Sequence, residues 1–356
     1  MRQSFHFFTP RRLARQLLAA PALAMALAVG LLTAPSAPAR AETTHLEVAY
    51  IPILAMAQLF VMQQEGWLKQ ADLDLKMTRF SSGPAMVQAL ASGKFDVAYI
   101  GIGPAMVARA HGVDLKILAN NTAGQGGLLG RGDFAAAFSK GANAAEVFAN
   151  YHKSHGQPVK LATLPKGSVP DTLMRYYLFE VAKVAPADVE ILGMGAEQMQ
   201  QALLSGAVDG ASVLDPIPAI VASRDKTARV VVTGHEMLPN APGAVLAVSE
   251  RAIAANPAAV RKLVALHIRA TDLIHKDPAR AASDIASVIG RGLVPAAVIE
   301  TSLRASLDTY DADPHRLLEP AARLQDYQIS IGSLAKAVDL KALIDPTIYD
   351  QVRKAK

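Results

Sequence analysis

Apolar and polar positions along this chain switch repeatedly between a period of two and a period near 3.6, and the switches mark its elements. His45 to Ile51 reads as a strand, Ala55 to Glu65 as a helix stopped at Gly66, and Leu73 to Met77 as a second strand. Ser81-Ser82-Gly83-Pro84 then opens a helix, with Pro84 in the first turn, where a missing N–H costs nothing. Phe95 to Ile100 and Leu115 to Ala119 are further strands, separated by a helix from Pro104 to His111. The pattern restarts at Val159 to Leu164 and passes through Lys166-Gly167-Ser168-Val169-Pro170-Asp171 into a helix reaching about Val184. Strands at Glu190 to Leu192, Arg229 to Thr233 and Ala244 to Val248 follow. From Arg251 to Lys356 the pattern is mainly helical, with Asn256-Pro257 and Asp277-Pro278 at helix starts. Strand and helix in alternation predict an α/β protein with largely parallel sheets.

One part of this pattern occurs twice. Met86 to Ala108 (MVQALASGKFDVAYIGIGPAMVA) returns as Met199 to Ala222 (MQQALLSGAVDGASVLDPIPAIVA), sharing Met, Gln, Ala, Leu, Ser, Gly, Asp and Ala at corresponding places up to Ala98 and Ala211. Each copy predicts a helix ended by Ser-Gly, a short strand, and a Gly- or Pro-marked turn into the next helix. The separation is too long for a stacked repeat and predicts two lobes instead. The glycine-rich stretch Gly124-Gln125-Gly126-Gly127 is the expected crossover between them, and Gly234 to Gly243 the return. The division expected is 1–41 ahead of the fold, 42–126 as the first part of lobe 1, 127–236 as lobe 2, and 237–356 as the return to lobe 1 plus carboxyl-terminal helices.

Composition changes this picture at the amino end. Arg2, Arg11, Arg12 and Arg15 precede an apolar run from Leu17 to Ala34, and Ala39-Arg40-Ala41 offers a small-x-small cleavage site. Residues 1–41 therefore predict an export signal cleaved near Ala41, and a periplasmic location. That segment holds five of the 36 basic residues and no acid, so its removal leaves 31 basic against 31 acidic residues. A formally neutral chain removes the electrostatic basis for nucleic-acid or anionic-membrane binding. The sequence has no cysteine, which excludes disulfides, thiolate metal sites and a Cys nucleophile. No G-x-S-x-G, P-loop or H-E-x-x-H motif occurs. His152 and His155 sit in a Tyr-His-Lys-Ser-His stretch that reads as an exposed loop, with a spacing poor for metal ligation.

Several motifs, taken in order, carry a resemblance. Gly66-Trp67 ends the first helix and Asp72-Leu73 enters the second strand; Ser81-Ser82-Gly83-Pro84, Ala89 to Asp96, Lys166-Gly167-Ser168 and Asp215-Pro216 follow at the expected intervals. In these features the chain resembles the periplasmic solute-binding proteins of the nitrate/sulfonate/taurine class of ABC importers. The resemblance implies a two-lobed type II binding-protein fold, each lobe a mostly parallel sheet flanked by helices, that closes on a small anion or organic oxyanion and delivers it to a membrane permease. It implies a monomer with no cofactor and no catalytic residue. Gly101-Ile102-Gly103-Pro104 departs from the family's turn, which carries a polar side chain, and points to a non-zwitterionic, partly apolar ligand. Two alternatives use the same scaffold: an enzyme that binds or processes a pyrimidine precursor, and a sensor reporting to a signalling partner.

Ligands of open α/β sheets lie beyond the carboxyl ends of the strands, and helix N-termini there offer free N–H groups and about half a positive charge. The expected ligand-binding residues are Ser81, Ser82 and Gly83 in one lobe and Gly167, Ser168 and Val169 in the other. Ile53, Ile102 and Ile217, at corresponding loop tips, are expected along an apolar wall, Gly103 as a further ligand-binding residue, Asn120 as an amide donor, and His235 as an anion partner or pH sensor at the return crossover. Ser82 and Ser168 also suit helix caps, Ser168 with Asp171 forming the S-x-x-D pattern. Asp215 reads as a cap of the helix after Pro216 or as part of the pocket wall. Trp67 is expected to pack beneath the first lobe.

Overall fold

A computed structural model describes residues 43–139, 141–289 and 294–355, together with 1, 3, 4 and 6. The expected export signal lies almost wholly outside the described residues. Among those described, no helix is long and apolar enough to cross a membrane.

Among the described residues, ten strands form two five-stranded sheets. In the first, β1 (Thr44–Tyr50) lies between β2 (Leu73–Arg79) and β3 (Val97–Gly101), all parallel, and β4 (Leu115–Asn120) closes the edge. The second repeats the plan with β6 (Val159–Thr163) between β7 (Val189–Gly193) and β8 (Gly210–Val213), and β9 (Arg229–Thr233) at the edge. Each sheet is completed by one antiparallel strand contributed from elsewhere in the chain. β5 (Gly127–Gly130) inserts between β8 and β9, and β10 (Ala244–Ser249) between β3 and β4. Sequence patterning had made Gly127 part of an irregular crossover. Its glycines are required in the ladder, since a β-carbon on Gly127 would stand 2.6 Å from the Val232 carbonyl oxygen.

The helices that matter for the site are α1 (Ala57–Gln64), α2 (Gly83–Leu90), α3 (Ile102–Ala110), α4 (Ala144–His155), α5 (Val169–Tyr176), α6 (Ala196–Ser205), α7 (Ile217–Arg224), α8 (Pro257–Lys276) and α9 (Leu318–Ser330). They cover both faces of the sheets, which explains why the inner strands β3, β8 and β10 are buried nearly throughout while the outer β2 and β7 are not. Alternation assigns neighbours to different cores: Leu128 and Leu161 join the large core that continues into the first sheet, while Leu129 and Ala162 pack with Met199, Leu203 and Val221 on the other face. Trp67 is buried in the first core, with the Arg269 guanidinium 3.7 Å above its ring. His152 and His155 lie in the last turn of α4, not in a loop. The basic end of a helix capped by left-handed Gly156 is favourable for them, and His152 Nδ1 contacts Asp188 at 2.8 Å.

The sequence repeat has a structural cause. Asp96 N donates to Glu47 O and its Oδ2 accepts from Glu47 N; Asp209 does the same with Lys160 O and N. Each aspartate then offers its own carbonyl to the strand arriving from the other half, Asp96 to Ser249 N and Asp209 to Arg131 N. One residue thus ties the central strand to the guest strand in each sheet. The second carboxylate oxygen accepts from Arg251 at 2.7 Å in one sheet and from the Tyr151 hydroxyl at 2.7 Å in the other.

A buried histidine holds the first sheet to α8. His267 Nε2 lies 2.8 Å from Asn120 O and its Nδ1 3.3 Å from the Tyr99 hydroxyl. A carbonyl can only accept, so Nε2 carries the proton and Nδ1 accepts from Tyr99. Burial pushes this imidazole down to about 4.

Two measurements follow. Asp96→Ala and Asp209→Ala should each lower stability in urea unfolding by about 2 kcal/mol, because each strands a backbone N–H that bonded to a charged acceptor. Between about pH 6.5 and pH 4 the unfolded chain takes up a proton at His267 that the folded chain refuses, so this residue should cost roughly 3 kcal/mol as pH falls through that window. Asp215 and Asp284, each raised to about 6 by burial, act in the opposite direction. The difference between wild type and His267→Gln isolates the histidine and should shrink as pH is lowered.

Candidate functional site

The carboxyl ends of the parallel strands in the two sheets face each other across a cavity of about 40 Å³. Ile51 and Ile53 follow β1, Gly101 ends β3, Leu164 follows β6 and Leu214 follows β8, so the wall is drawn from equivalent strand ends in both sheets. Met56, Pro104, Pro170 and Leu173 add apolar surface. The polar lining side chains are Thr122, Gln125 and Ser168, and no lining residue is charged.

Two helices begin at this cavity with the same local chemistry. α2 starts Ser82-Gly83-Pro84 and α5 starts Ser168-Val169-Pro170. Ser82 Oγ accepts from Ala85 N at 3.3 Å, and Ser168 Oγ accepts from Asp171 N at 3.4 Å. With the third donor capped and the second removed by proline, the first N–H of each helix is the one left without an intrahelical partner. Gly83 and Val169, which carry those groups, both line the cavity. The serines therefore fix the helix ends as caps, and Ser168 also supplies wall. Asp171 completes the second helix start by accepting from Gly167 N at 3.3 Å and pairing with Arg175 at 2.8 Å. Burial nevertheless pushes its carboxyl up, against the pull of Arg175.

The sequence-derived candidates separate into groups. Ile53, Gly83, Ser168 and Val169 line the cavity. Ser82, Ile102 and Asn120 are buried beside or behind it, Asn120 with neither side-chain amide atom partnered among the described residues. Gly103 and Gly167 meet across the lobes. A β-carbon on Gly103 would be 2.8 Å from Gln328 Nε2 and 3.3 Å from Gly167 O, and Gln328 Nε2 itself donates to Gly167 O at 3.2 Å. Ser81 is exposed, close to where Arg79 pairs with Glu197 in the first turn of α6. Asp215 makes no side-chain cap of α7. Its carbonyl instead accepts from Leu54 N at 3.0 Å, and its carboxyl, bonded to Ser306, is raised to about 6 by burial. Pro216 stands at the capping position, which turns the acid away from the helix. His235 is exposed on a short helix closed by a Thr233/Glu236 capping box, and is not among the lining residues.

Sequence reading passed over Thr122, Gln125, Leu164 and Leu214. The last two could have been found from their places at strand ends. Gln125 could not, because it belongs to the crossover itself. The two crossovers run side by side: Gly124 N donates to Ala241 O at 2.7 Å, Gly243 N to Thr122 O at 2.9 Å and Gly234 N to Gly126 O at 2.9 Å. Gly124 and Gly126 have φ of 71° and 93°, a left-handed backbone that brackets Gln125 and sets it at the cavity.

A larger cleft of about 410 Å³ lies at the amino ends of β3 and β4. Its acids are paired, Asp96 with Arg251 of the same cleft and Asp114 and Glu250 each with Arg109 behind it at 3.0 Å, and it is at the wrong end of the strands for a ligand site.

With the cavity and its helix ends established, the family model described as the NMT1-like family matches residues 39–290. The chain belongs to the NMT1-like family. A Brucella abortus (strain 2308) protein, named as a candidate binding protein, is 28% identical over 259 residues, covering 72% of this chain and 74% of that one. Among solved structures, the periplasmic nitrate-binding protein NrtA from Synechocystis PCC 6803 superposes with a TM-score of 0.75 at 18% identity, covering 88% of this chain and 89% of that one. The alkanesulfonate-binding protein SsuA from Xanthomonas axonopodis pv. citri, bound to MOPS, gives 0.68 at 21%, covering 86% and 99%. This NMT1-like chain thus has the two-lobed periplasmic binding-protein fold expected from its sequence.

Gly103→Val should hold the lobes apart, since the added carbons meet Gly167 backbone from the opposite lobe. The radius of gyration measured by X-ray scattering should rise, and solute affinity fall at least about tenfold, while the unfolding transition stays cooperative.

Proposed function

We propose that this chain is the solute-binding component of an ABC importer, exported to the periplasm after cleavage near Ala41, and that it captures a small anion or organic oxyanion for delivery to a membrane permease. The bodies that move are 42–126 with 237–356, and 127–236, turning about the paired crossovers. The observation that carries the reading is the opposition of two Ser-X-Pro helix starts from different sheets across one cavity. Each presents the positive end of a helix and an unpaired N–H, which can hold an anion where the wall has no cationic side chain.

The size of the cavity favours a small solute over a bulky one. A space of about 40 Å³ is a few times the roughly 10–15 Å³ needed for one water, the scale of an ion of a few heavy atoms. The same wall argues against catalysis: it includes no His, Asp, Glu or Lys, and its one serine hydroxyl serves a helix cap. The permease would read the closed surface, and a monomer suffices because both lobes of the site come from one chain.

A thermal-shift screen of the mature chain against nitrate, bicarbonate, sulfonates, small carboxylates and pyrimidines tests this reading. A true ligand at about 100 times its Kd should add about 2.7 kcal/mol of stability. Ser168→Ala and Ser82→Ala should each weaken binding while costing only about 1 kcal/mol of fold stability as lost caps. Unchanged affinity in both would refute the role of the helix starts.

A further inference from the structure

Gln328 lies wholly buried on α9 and does not line the cavity, yet its side-chain amide nitrogen is directed at the start of α5. Nε2 is 3.2 Å from Gly167 O and 3.4 Å from Thr172 Oγ1. The carbonyl can only accept, and the threonine gives its single proton to Ser168 O at 2.9 Å, so it too presents a lone pair. Two acceptors require the nitrogen here. Turned over, the amide would set oxygen against oxygen at both contacts.

A relay results. Gln328 donates to Thr172 Oγ1, which donates to Ser168 O, and Ser168 O shares its peptide with the Val169 N–H. That N–H is the unpaired donor at the start of α5, and Val169 lines the cavity. The carbonyl and N–H of a trans peptide point opposite ways, so fixing one aims the other, and donors in series polarise one another. The second amide proton holds the preceding peptide through Gly167 O, where the backbone is left-handed at φ 89°. The donor itself sits on an element of the first sheet's side. α9 packs against α3, and the Gln328 carbonyl is fastened by Ser333 N at 2.8 Å and Leu334 N at 3.1 Å. At the far end of α5, Tyr176 meets Tyr327 of α9 edge-on, with ring centres 5.1 Å apart. α9 thus grips α5 at both ends.

From this we infer that Gln328 is a positioning residue for solute binding: reaching across from α9, it aims and polarises the Val169 N–H once the lobes meet, so that closure completes the donor at the start of α5. This rests on the solute-binding reading above, with 237–356 moving apart from 127–236. A residue that never touches the solute then sets how tightly it is held.

Calorimetry and stopped-flow kinetics on the mature chain, with nitrate, bicarbonate and methanesulfonate as probes, provide the test. Gln328→Met keeps the length and volume of the side chain but donates nothing, and should weaken binding at least about tenfold. Thr172→Val breaks the relay while leaving Gln328 on Gly167 O, and should weaken it at least about threefold. Because both act through one relay, the double variant should bind within about twofold of Gln328→Met, not with the roughly thirtyfold loss that independent effects would give. The loss should lie in the dissociation rate, with association within about twofold of wild type, since Gln328 engages only after the lobes meet. Wild-type affinity in either single variant means that the side chain merely packs, and overturns the inference. Losses that multiply in the double variant overturn the relay, and a loss confined to association overturns its dependence on closure. If wild type binds none of the three probes but another compound of the thermal-shift screen, the inference fails and solute binding stands. No binding by any compound overturns both.

Discussion

Each sheet of this protein is incomplete until a strand from elsewhere in the chain enters it, and most of the architecture follows from that requirement. β5 and β10 run against the direction of their hosts because each arrives after crossing from the other lobe. Their insertion brings the two connecting segments alongside one another, where they bond to each other through Gly124, Gly126 and Gly243. The carboxyl ends of both sheets then face inward, and the helix starts that follow those strands converge. The position of the cavity is therefore a result of topology before it is a result of side chains.

The repeated aspartate shows how the sequence enforces this. Asp96 and Asp209 each join a central strand by two hydrogen bonds and pass a third to the guest strand. A carboxylate that bonds a backbone N–H is short enough to reach only its immediate neighbour, which fixes register as well as adjacency. That constraint is identical in the two lobes, and the same residue marks it at corresponding places of the repeat, Asp96 and Asp209.

Legibility followed the same division. The nine strands with apolar runs could be read directly, as could the helix starts at Ser82 and Ser168, because their periods and caps are local. β5 was invisible: Gly-Leu-Leu-Gly has no alternation to measure, and its glycines answer to Val232 and Val231, which are distant in sequence. Asp215 was misread for a related reason, since a local rule assigns an acid before proline to the helix, whereas Leu54 and Ser306 from the other lobe claim it. His152 and His155 looked like loop residues because charge and polarity dominate a helix end as they dominate a loop. The four candidates that line the cavity lie where strand ends or helix starts dictate, and Gln125 was missed because crossover residues obey neither signal.

The pairing of the crossovers limits how the lobes can move. A single connecting segment would leave a lobe free to twist, slide or tilt. Two segments bonded edge to edge form a narrow ribbon, which is stiff against shear in its own plane and against torsion that would break its cross-links, but compliant to bending across its width. For the lobe closure proposed above, motion would thereby be reduced to something close to one degree of freedom. On that reading a solute would leave along the reverse of the route by which it was enclosed, and a partner emptying the site would have one coordinate on which to act.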